Sequence, residues 1–368
     1  MIFLYNRSGT LLLVAILCKI LQPGGDLFTF VFQPKSMRFF SSLCRSSLLV
    51  VLLLLTGSWG FLVHRTINQL SIYELPGAMG PFFFKNMDYL VYQSPRPDLR
   101  RNTDKAEAPR HFIDLELYGK DIPTAWPDAV KRYGMDSLEK AGFVPYHIVW
   151  MKQRLTAAFS SLQKDSILFY AADLGHYIAD AVVPLHTTEN YDGQLTNQKG
   201  LHSLWESMVP ELEIANYQLS SSHRAVYLKN PEKVIWKSVR AAAALVPDLL
   251  QKEREVSASF TTEQKYRVQM RNGKESRSYT SAFAKAYAAR LGNTVNQQLL
   301  VATDLLADFW YTCWVDAGKP DLAAITGTFT EADQAQYQRE IGLFSGNQLL
   351  PANLLQARSP KYQGGNGY

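Results

Sequence analysis

The sequence DLGHYIADAVVPLHTTENYDGQLTNQKGLHSLWE, residues 173–206, holds the clearest evidence about how this chain folds. It contains three of the seven histidines of the chain. Two of them each precede a carboxylate by four residues, since His176 is followed by Asp180 and His202 by Glu206. On a helix this spacing places two side chains one turn apart on the same face. The stretch therefore predicts helices on which imidazoles and carboxylates lie side by side.

These residue types are also those that bind metal ions. Imidazole nitrogen and carboxylate oxygen are ligands that a borderline cation such as zinc accepts. A single pair of this kind is more often a surface or capping pair. Here two pairs occur with His186 between them, and apolar residues such as Leu174, Val182 and Leu204 surround them. Unpaired charges are costly in such a setting and a bound cation would compensate them, so the stretch predicts a metal site.

The first 58 of the 368 residues differ from the rest of the chain. Residues 37–58 contain a second methionine start, basic residues, the apolar run Leu48–Leu55 and small residues. This order is typical of a secretory signal peptide, and the run is too short to span a bilayer comfortably. We interpret residues 1–36 as an over-long start, and a membrane anchor built from Leu11–Leu21 or Leu48–Leu55 is the alternative. A cleaved leader predicts a secreted or periplasmic protein with no stable transmembrane anchor.

Without this leader the chain is nearly neutral. The whole chain carries +5, and the leader contributes five basic residues against one acidic residue, so about +1 remains. The excess of basic residues therefore lies mainly in the leader, and it does not predict a basic face that would bind a polyanion. Cys18 and Cys44 also lie in the leader, which leaves Cys313 without an internal disulfide partner. A metal cluster could supply the missing cross-links.

Four further candidate ligands lie between the leader and the central stretch. Cleavage after residue 58 would make Trp59 the first residue, and its free amine and carbonyl could then chelate a metal. His64 follows five residues later, Asp98 ends a turn-like Ser-Pro-Arg-Pro-Asp sequence, and His111 follows a polar loop. Taken singly, each of these residues is more often a surface, loop or capping residue.

Together with the central stretch, these residues resemble the ligand set of the zinc-dependent phospholipase C and S1/P1 nuclease superfamily. The order of ligand types is similar throughout, and the set is Trp59, His64, Asp98, His111, His176, Asp180, His186, His202 and Glu206. The resemblance covers roughly residues 59–210 by motif and, more weakly, the helical remainder. It implies an all-α fold, with a single mainly helical domain of the phospholipase C/P1 nuclease type after a cleaved leader.

The resemblance also implies three Zn2+ ions. One ion would take Asp98, His111, His176 and Asp180, and a second would take His186, His202 and Glu206. A third would take Trp59, His64 and a further oxygen of Asp180, which would then bridge two ions. Such ions lower the pKa of bound water and bind phosphodiester oxygens, so the implied reaction is phosphoric ester hydrolysis by a metal-bound hydroxide. Asp98 is the side chain nearest in role to a catalytic base that orients the water.

The substrate class is less well determined by the residues. Glu206 as the last ligand resembles the phospholipase C side of the superfamily, whereas the short spacing from Trp59 to His64 resembles the nuclease side. The nearly neutral charge and the lack of an internal disulfide favour hydrolysis of phospholipid head groups. We therefore expect a zinc-dependent phosphodiesterase that resembles phospholipase C.

Two alternatives remain open at this point. One is an S1/P1-type nuclease that acts on single-stranded nucleic acid or nucleotides, with Phe112 and Tyr191 as substrate-binding, stacking residues. The other is a non-catalytic, zinc-stabilised binding protein of the cell envelope, although three protein ligands would leave the second ion open. Nothing in the sequence implies an obligate protein partner.

Several residues near the ligands have two interpretations each. Arg100, Arg101 and Arg110 either face a phosphate or are solvated surface charges. Asp114 either orients the ring of His111 or is solvated. The two remaining histidines have no matching ligand position, and we expect packing, capping or loop roles for them.

Periodic apolar residues predict helices through most of the chain after residue 118. The predicted helices are Ala125–Tyr133, Tyr146–Leu162, Ser166–Val182, 231–253 and Ser281–Val315. Between the last two, Lys265–Ser278 is predicted to be a charged connector, either a hairpin or a loop. The predicted organisation is a leader over residues 1–58, a catalytic domain over 59–320, and a partly disordered C-terminal extension over 321–368.

Overall fold

The computed structural model describes residues 4–5, 11–12, 61–271 and 274–363, and it divides the chain into two units. In the first unit, Met1–Leu53, the described residues form the short antiparallel pair β1 (Leu4–Tyr5) and β2 (Leu11–Leu12). The second unit, Leu54–Tyr368, contains all eight described ligand candidates. The predicted signal peptide over 37–58 and the predicted ligand Trp59 lie outside the described residues.

The second unit is mostly helical, which confirms the predicted all-α class. Its helices are α1 (Phe61–Tyr73), α2 (Gly80–Lys85), α3 (Met87–Gln93), α4 (Arg96–Arg100), α5 (Leu115–Tyr118), α6 (Trp126–Tyr133), α7 (Met135–Ala141), α8 (Val144–Ser160), α9 (Lys164–Ala181), α10 (Leu201–Ser203), α11 (Val209–Glu213), α12 (Pro231–Ala243), α13 (Val246–Ser257), α14 (Thr262–Lys265), α15 (Ser281–Leu291), α16 (Thr294–Asp316), α17 (Ala323–Thr326), α18 (Glu331–Ser345) and α19 (Pro360–Gln363). Strands β3 (Tyr266–Arg271) and β4 (Lys274–Tyr279) form an antiparallel hairpin, one of the two forms predicted for this connector. In the part of the chain that the structure describes, no helix is both long enough and apolar enough to cross a bilayer.

Helix α9 is the centre of the bundle. It packs against α8, α3, α16 and α1. Leu168, Ala171 and Ile178 recur at helical spacing and are buried. At the end of α9 the side chain of Gln298 on α16 donates a hydrogen bond to the carbonyl of Val182 at 2.7 Å. The last two turns of α9, which carry His176 and Asp180, are therefore held by contacts on several sides.

Gly175 allows α1 to lie directly against α9. A Cβ atom at this position would lie only 2.5 Å from the Oδ1 atom of Asn68 on α1. Asn68 in turn donates to the carbonyl of His64 at 3.0 Å. This close approach stacks the rings of His64 and His176, with centroids 4.1 Å apart and an interplanar angle of 18°. A larger residue at 175 would separate the helices that carry these two histidines.

A second, smaller apolar cluster supports the segment that follows α9. Leu185, Leu201 and Trp205 of this segment are buried against Phe283 and Tyr287 of α15. The contact fixes the 3₁₀ turn Pro184–Thr187 and the helical residues that begin at α10. Three of the predicted ligands, His186, His202 and Glu206, lie on these two pieces.

Two of the predicted helices were wrong, because each is two helices. The segment predicted over 231–253 is α12 and α13, and Pro247 stands in the first turn of α13, where its missing N–H group is tolerated. The segment predicted over Ser281–Val315 is α15 and α16, separated by Gly292 with φ of 65°. The other three predicted helices agree with α6, α8 and α9 to within about two residues at each end.

The segment after residue 320 joins the same core. Helix α18 packs against α1 and α2, and its residues Tyr337 and Phe344 are buried. Gln69 on α1 donates to the carbonyl of Leu354 at 2.7 Å and accepts from the backbone N–H of Gln356 at 2.8 Å. Apolar residues recur only weakly at helical spacing in this segment, so α18 was not predicted.

Candidate metal centre

The structure brings the eight described ligand candidates together in three groups, each of which can hold a metal ion. Within a group the potential ligand atoms all lie within 4.8 Å of one another. The groups are His64 with His176 and Asp180, then Asp98 with His111 and His176, and finally His186 with His202 and Glu206. This arrangement is compatible with the predicted three ions.

Six separate pieces of the chain supply these side chains. Helix α1 carries His64, α4 carries Asp98, and His111 follows the 3₁₀ turn Ala108–Arg110. The last turns of α9 carry one predicted pair at four-residue spacing, and the other pair begins on α10. The ring of His186, on the 3₁₀ turn, is fixed because its Nδ1 bonds the carbonyl of His111 at 2.8 Å, while Ile113 donates back to the carbonyl of His186 at 2.8 Å.

Asp180 lies at the junction of the three groups. Its Oδ2 atom lies 2.9 Å from Nδ1 of His111 and 3.3 Å from Nε2 of His176. Its Oδ1 atom lies 3.7 Å from Nε2 of His64 and 3.7 Å from Nδ1 of His186. The two oxygens of one carboxylate therefore face different groups, which is the arrangement that a bridging ligand needs.

Two backbone carbonyls determine which imidazole nitrogens are available as ligands. Nδ1 of His176 lies 2.9 Å from the carbonyl oxygen of Ser94, and Nδ1 of His186 contacts the carbonyl oxygen of His111. Because a carbonyl only accepts, both Nδ1 atoms carry the proton. In its neutral form each ring presents a lone pair at Nε2, which lies 3.1 Å from Nδ1 of His111 for His176 and 2.9 Å from Nε2 of His202 for His186. Lone pairs that face one another and carboxylates need a proton or a cation between them, so the donor set fits zinc.

The electrostatics of the groups lead to the same conclusion. Burial raises the pKa of Asp180, but the charges of His176 and His186 and hydrogen bonds from the imidazoles bring it well below its usual range. The pKa of Glu206 is lowered in the same way, mainly by His202. Burial lowers the pKa of His186, yet the nearby carboxylates raise it to about 9. Without an ion, protons on the imidazoles compensate the buried carboxylates.

The centre opens to solvent at two places. The side chain of Asp98 is 30% exposed, and that of His202 is 31% exposed, whereas His64, His111 and Asp180 are almost fully buried. His202 lies next to the π-helical turn Leu204–Met208, and its Nε2 lies 2.6 Å from the carboxylate of Glu206. Single π turns are frequent at functional sites. The Asp98 and His202 sides are therefore the parts of the centre that solvent reaches.

Glu107 is a residue of this site that the sequence analysis missed. It is fully buried, and its Oε1 atom lies 3.4 Å from Nε2 of His111, on the side of the ring away from Asp180. Arg110 and Tyr177 both donate to its carboxylate. Although burial opposes it, contacts with His111, Arg100 and Tyr177 hold the pKa of Glu107 well below its usual range. The four-residue spacing from Glu107 to His111 is the signal that could have identified it.

Asp114 does not take the role that one interpretation gave it. It is buried rather than solvated, and burial followed by the charges of Glu116 and Glu189 raises its pKa to about 7. Its backbone N–H donates to the carbonyl of Ala141 at 2.7 Å. The carboxylate behind the His111 ring belongs to Glu107.

The three arginines near the ligands divide into two kinds. Arg100 pairs with Asp173 at 2.8 Å and with Glu107 at 3.0 Å, and Arg110 pairs with Glu107 at 2.6 Å. These two guanidinium groups compensate buried carboxylates and are engaged inside the fold. Arg101 is exposed and lies 3.6 Å from Oδ1 of Asp98, so it is the arginine of the three that lies at an opening of the centre.

The two predicted stacking residues lie in different surroundings. Tyr191 is exposed, and its ring stands edge-on to the ring of His202 with centroids 6.1 Å apart. Phe112 is half-buried, and its ring is close enough to Gly142 that a Cβ atom there would lie 2.6 Å from Phe112 Cδ2. Tyr191 therefore borders the centre, while the ring of Phe112 packs against the protein.

The two histidines predicted to be non-ligands lie outside the three groups. His147 stacks on Trp150, with ring centroids 5.5 Å apart, and burial lowers its pKa to about 3. His223 contacts the carboxylate of Asp308 at 2.8 Å. His147 is therefore a buried neutral ring and His223 is paired with a residue of α16, so we interpret both roles as structural.

The described residues thus offer nitrogen and oxygen ligands for three cations beside two openings to solvent. Such a centre can polarise an anionic substrate and activate water, which is the general chemistry of clustered divalent ions. In comparisons with known proteins, no family model matches the chain and no curated protein matches it.

Proposed function

We propose that this protein is a zinc-dependent phosphoric ester hydrolase that cleaves phosphodiesters, with phospholipids as the leading substrate class. The observation that carries the proposal is the position of Asp180, whose two carboxylate oxygens face different ligand groups at 2.9–3.7 Å. The sequence resemblance to the zinc-dependent phospholipase C and S1/P1 nuclease superfamily supports the same reaction class. Bound together, divalent ions supply a nucleophilic water at neutral pH and stabilise negative charge on a phosphoryl group.

The residues around the ligands hold the site in position. The carbonyls of Ser94 and His111 fix the tautomers of two imidazoles, and Glu107 lies behind a third. Carboxylates and carbonyls behind metal-binding histidines orient the rings and increase their basicity. We assign Asp98 the role of orienting the attacking water, because it is the most exposed carboxylate of the three groups.

Trp59 belongs to the proposal through the resemblance. Its amine and carbonyl would complete the group of His64 and Asp180, provided that a leader is removed immediately before it. The proposal therefore includes export, with the mature protein secreted or periplasmic.

Hydrolysis of single-stranded nucleic acid or nucleotides is the second candidate function. The observation that favours it is the exposed ring of Tyr191 beside His202, at one opening of the centre. Stacking of a base on an aromatic ring is worth about 1–3 kcal/mol and tolerates any sequence. An exposed tyrosine at this place could orient a nucleotide toward the ligands.

The deciding experiment combines a metal count with parallel substrates. The purified mature protein is expected to begin at Trp59, to contain about three zinc ions per chain, and to hydrolyse a chromogenic phosphodiester until a chelator is added. Phosphatidylcholine and single-stranded DNA are then offered separately, and the faster reaction identifies the substrate class. Zinc-loaded protein that is inert toward every phosphodiester would reject the enzymatic proposal and favour a binding protein of the envelope.

A further inference from the structure

The β3–β4 hairpin presents apolar side chains to solvent. Along β3 the residues alternate between faces, so that Tyr266, Val268 and Met270 share one face. Tyr266, with its partner Tyr279, packs on the second apolar cluster at the base of the hairpin. Farther along, Val268 is 53% exposed and Met270 is 70% exposed. Met270 has the highest exposure among the large apolar side chains that the structure describes.

The same hairpin is strongly basic. Residues 266–279 contain four basic residues and one acidic residue, a net charge of +3. The whole of the chain after the leader carries only about +1, so the rest of it is slightly acidic. Arg267 and Arg277 of the described hairpin residues are exposed. Apolar side chains together with basic groups are typical of surfaces that bind anionic lipid head groups and the acyl region beneath them.

The hairpin is attached to a loop that leads to the metal centre. The hydroxyl of Tyr279 donates to the carbonyl of Gln198 at 3.2 Å, within the loop that precedes His202. That loop carries a further exposed apolar residue, Leu195, which is 65% exposed. Exposed apolar side chains therefore occur on two connected segments, one of which leads to His202.

We propose that the β3–β4 hairpin, with Leu195, is a docking surface for an anionic phospholipid bilayer. Val268 and Met270 would enter the region beneath the head groups, and Arg267 and Arg277 would lie among the lipid phosphates. The inference rests on the proposed function, because it describes how a phospholipid in a membrane would be brought to the His202 opening. Binding itself requires no catalysis and can be measured separately.

The test is co-sedimentation of the full metal-loaded chain with vesicles. Wild-type protein is expected to bind vesicles of mixed phosphatidylglycerol and phosphatidylcholine, and to bind pure phosphatidylcholine about tenfold more weakly. The double variant Val268→Glu with Met270→Glu should bind the anionic vesicles at least about thirtyfold more weakly, since it removes two apolar side chains that would enter the bilayer and adds two negative charges. Val301→Glu, the same kind of change at an exposed position on α16, is the matched control and should bind like wild type.

Two further measurements separate this inference from the proposed function. Hydrolysis of a soluble chromogenic phosphodiester should be equal in wild type, the hairpin variant and the control. Wild-type protein that ignores anionic vesicles, or a hairpin variant that binds them as tightly as wild type, would overturn the docking surface even if hydrolysis is observed. A variant that instead loses affinity for a single-stranded DNA oligonucleotide while keeping vesicle binding would assign the hairpin to nucleic acid. Vesicle binding without any hydrolysis would reject the proposed function and leave the docking surface in place.

Discussion

Two buried groups of ionisable side chains lie near the two ends of helix α1, and they hold charge in opposite ways. His64, in the first half of α1, faces Asp180 and the metal centre. Glu74, directly after the last residue of α1, lies with Asp304 and Asp308 of α16. Both groups contain several carboxyls in the interior of one helical unit, so burial alone cannot explain the difference between them.

In the metal centre the carboxylates stay ionised although they are buried. Five imidazoles surround Asp180 and Glu206, and their charges and hydrogen bonds outweigh the effect of burial on both pKa values. Each protonated imidazole can release its proton to solvent, and a cation can then bind the nitrogen that carried it. The centre is therefore prepared to exchange protons for metal ions.

The acidic group at the other end of α1 has no such set of imidazoles. Burial, followed by the charge of Asp304, raises the pKa of Glu74 to about 10, and Arg224 opposes this only weakly. Among the described residues, neither carboxyl oxygen of Glu74 has a hydrogen-bond donor. Asp308 has two donors, from Val226 and His223, yet burial still raises its pKa. This group therefore retains a proton, and it forms none of the three groups that can hold a metal.

The comparison shows that the nitrogen ligands make the difference. Carboxyls that are brought together in the interior need a positive charge, and a proton is the simplest source of one. Imidazoles whose tautomers are fixed by backbone carbonyls direct their lone pairs toward one point. Only where such imidazoles are present does a cation compensate the carboxylates better than a proton does. The comparison predicts different responses of the two groups to mutation, chelation and pH.

The largest expected effect is the loss of the proposed activity on removal of the Asp180 carboxylate, the proposed bridging ligand. Asp180→Asn should lower kcat/KM on a phosphodiester by about 10³-fold, the size typical for loss of transition-state charge stabilisation, and should remove more than one ion. The matched variant Asp304→Asn changes the same residue type in the other group and should keep its full zinc content. Metal analysis and steady-state kinetics measure both. Full zinc occupancy in Asp180→Asn would contradict the bridging role.

Chelation should have the next largest effect. At free zinc about a thousandfold above Kd, binding contributes about 4 kcal/mol to the free energy of unfolding, on the order of 10 °C in Tm. A chelator should therefore lower the Tm of wild type and of Asp304→Asn alike, as followed by circular dichroism. Asp180→Asn should respond much less, and an equal drop in all three proteins would place the stabilising ions elsewhere.

The acidic group should make stability depend on pH. The folded state holds a proton on Glu74 that the unfolded state loses above its usual pKa, so the stabilising effect is complete at acid pH and is lost as the pH rises toward about 10. Glu74→Gln keeps the neutral form at every pH and should be more stable than wild type at pH 8, by up to about 5 kcal/mol. Urea unfolding at pH 5 and pH 8 measures the difference. Parallel pH dependence in the two proteins would show that Glu74 ionises freely.

The smallest expected effect is proton release on metal binding. Zinc needs neutral imidazole, and the nearby carboxylates raise the pKa of His186 to about 9, so this ring is protonated at neutral pH before an ion binds. Zinc affinity should therefore fall as the pH falls, by about tenfold per pH unit for each proton displaced. Calorimetry in buffers of different ionisation enthalpy counts the protons. A zinc affinity that is independent of pH between 6 and 8 would mean that the imidazoles are already neutral.

Residue spacing was sufficient to predict those parts of the molecule that depend on local geometry. The helical class and the two His–carboxylate pairs follow from four-residue spacing, which places side chains on one face whatever surrounds the helix. The division into α12 and α13 and into α15 and α16 was not predicted, because an apolar period continues across a break. Glu107 has the same four-residue spacing before His111, but it lies in a loop and 3₁₀ turn and was not recognised.

By itself the sequence identified the eight described side chains that lie in the three groups able to hold a metal ion, the helices α6, α8 and α9 to within about two residues, and the helical class. Only the tertiary structure decided that Asp180 faces several groups, that Glu107 supports His111, that Glu74 is buried with other acids, and that the 266–279 hairpin exposes Val268 and Met270. The physical reason is that ligand type and helical spacing are local properties. Charge compensation and exposure depend on neighbours that are distant in sequence. The contact between helices does so as well, because Gly175 has no side chain and Asn68 of α1 can lie directly against it. This close approach of α1 and α9 stacks His64 on His176.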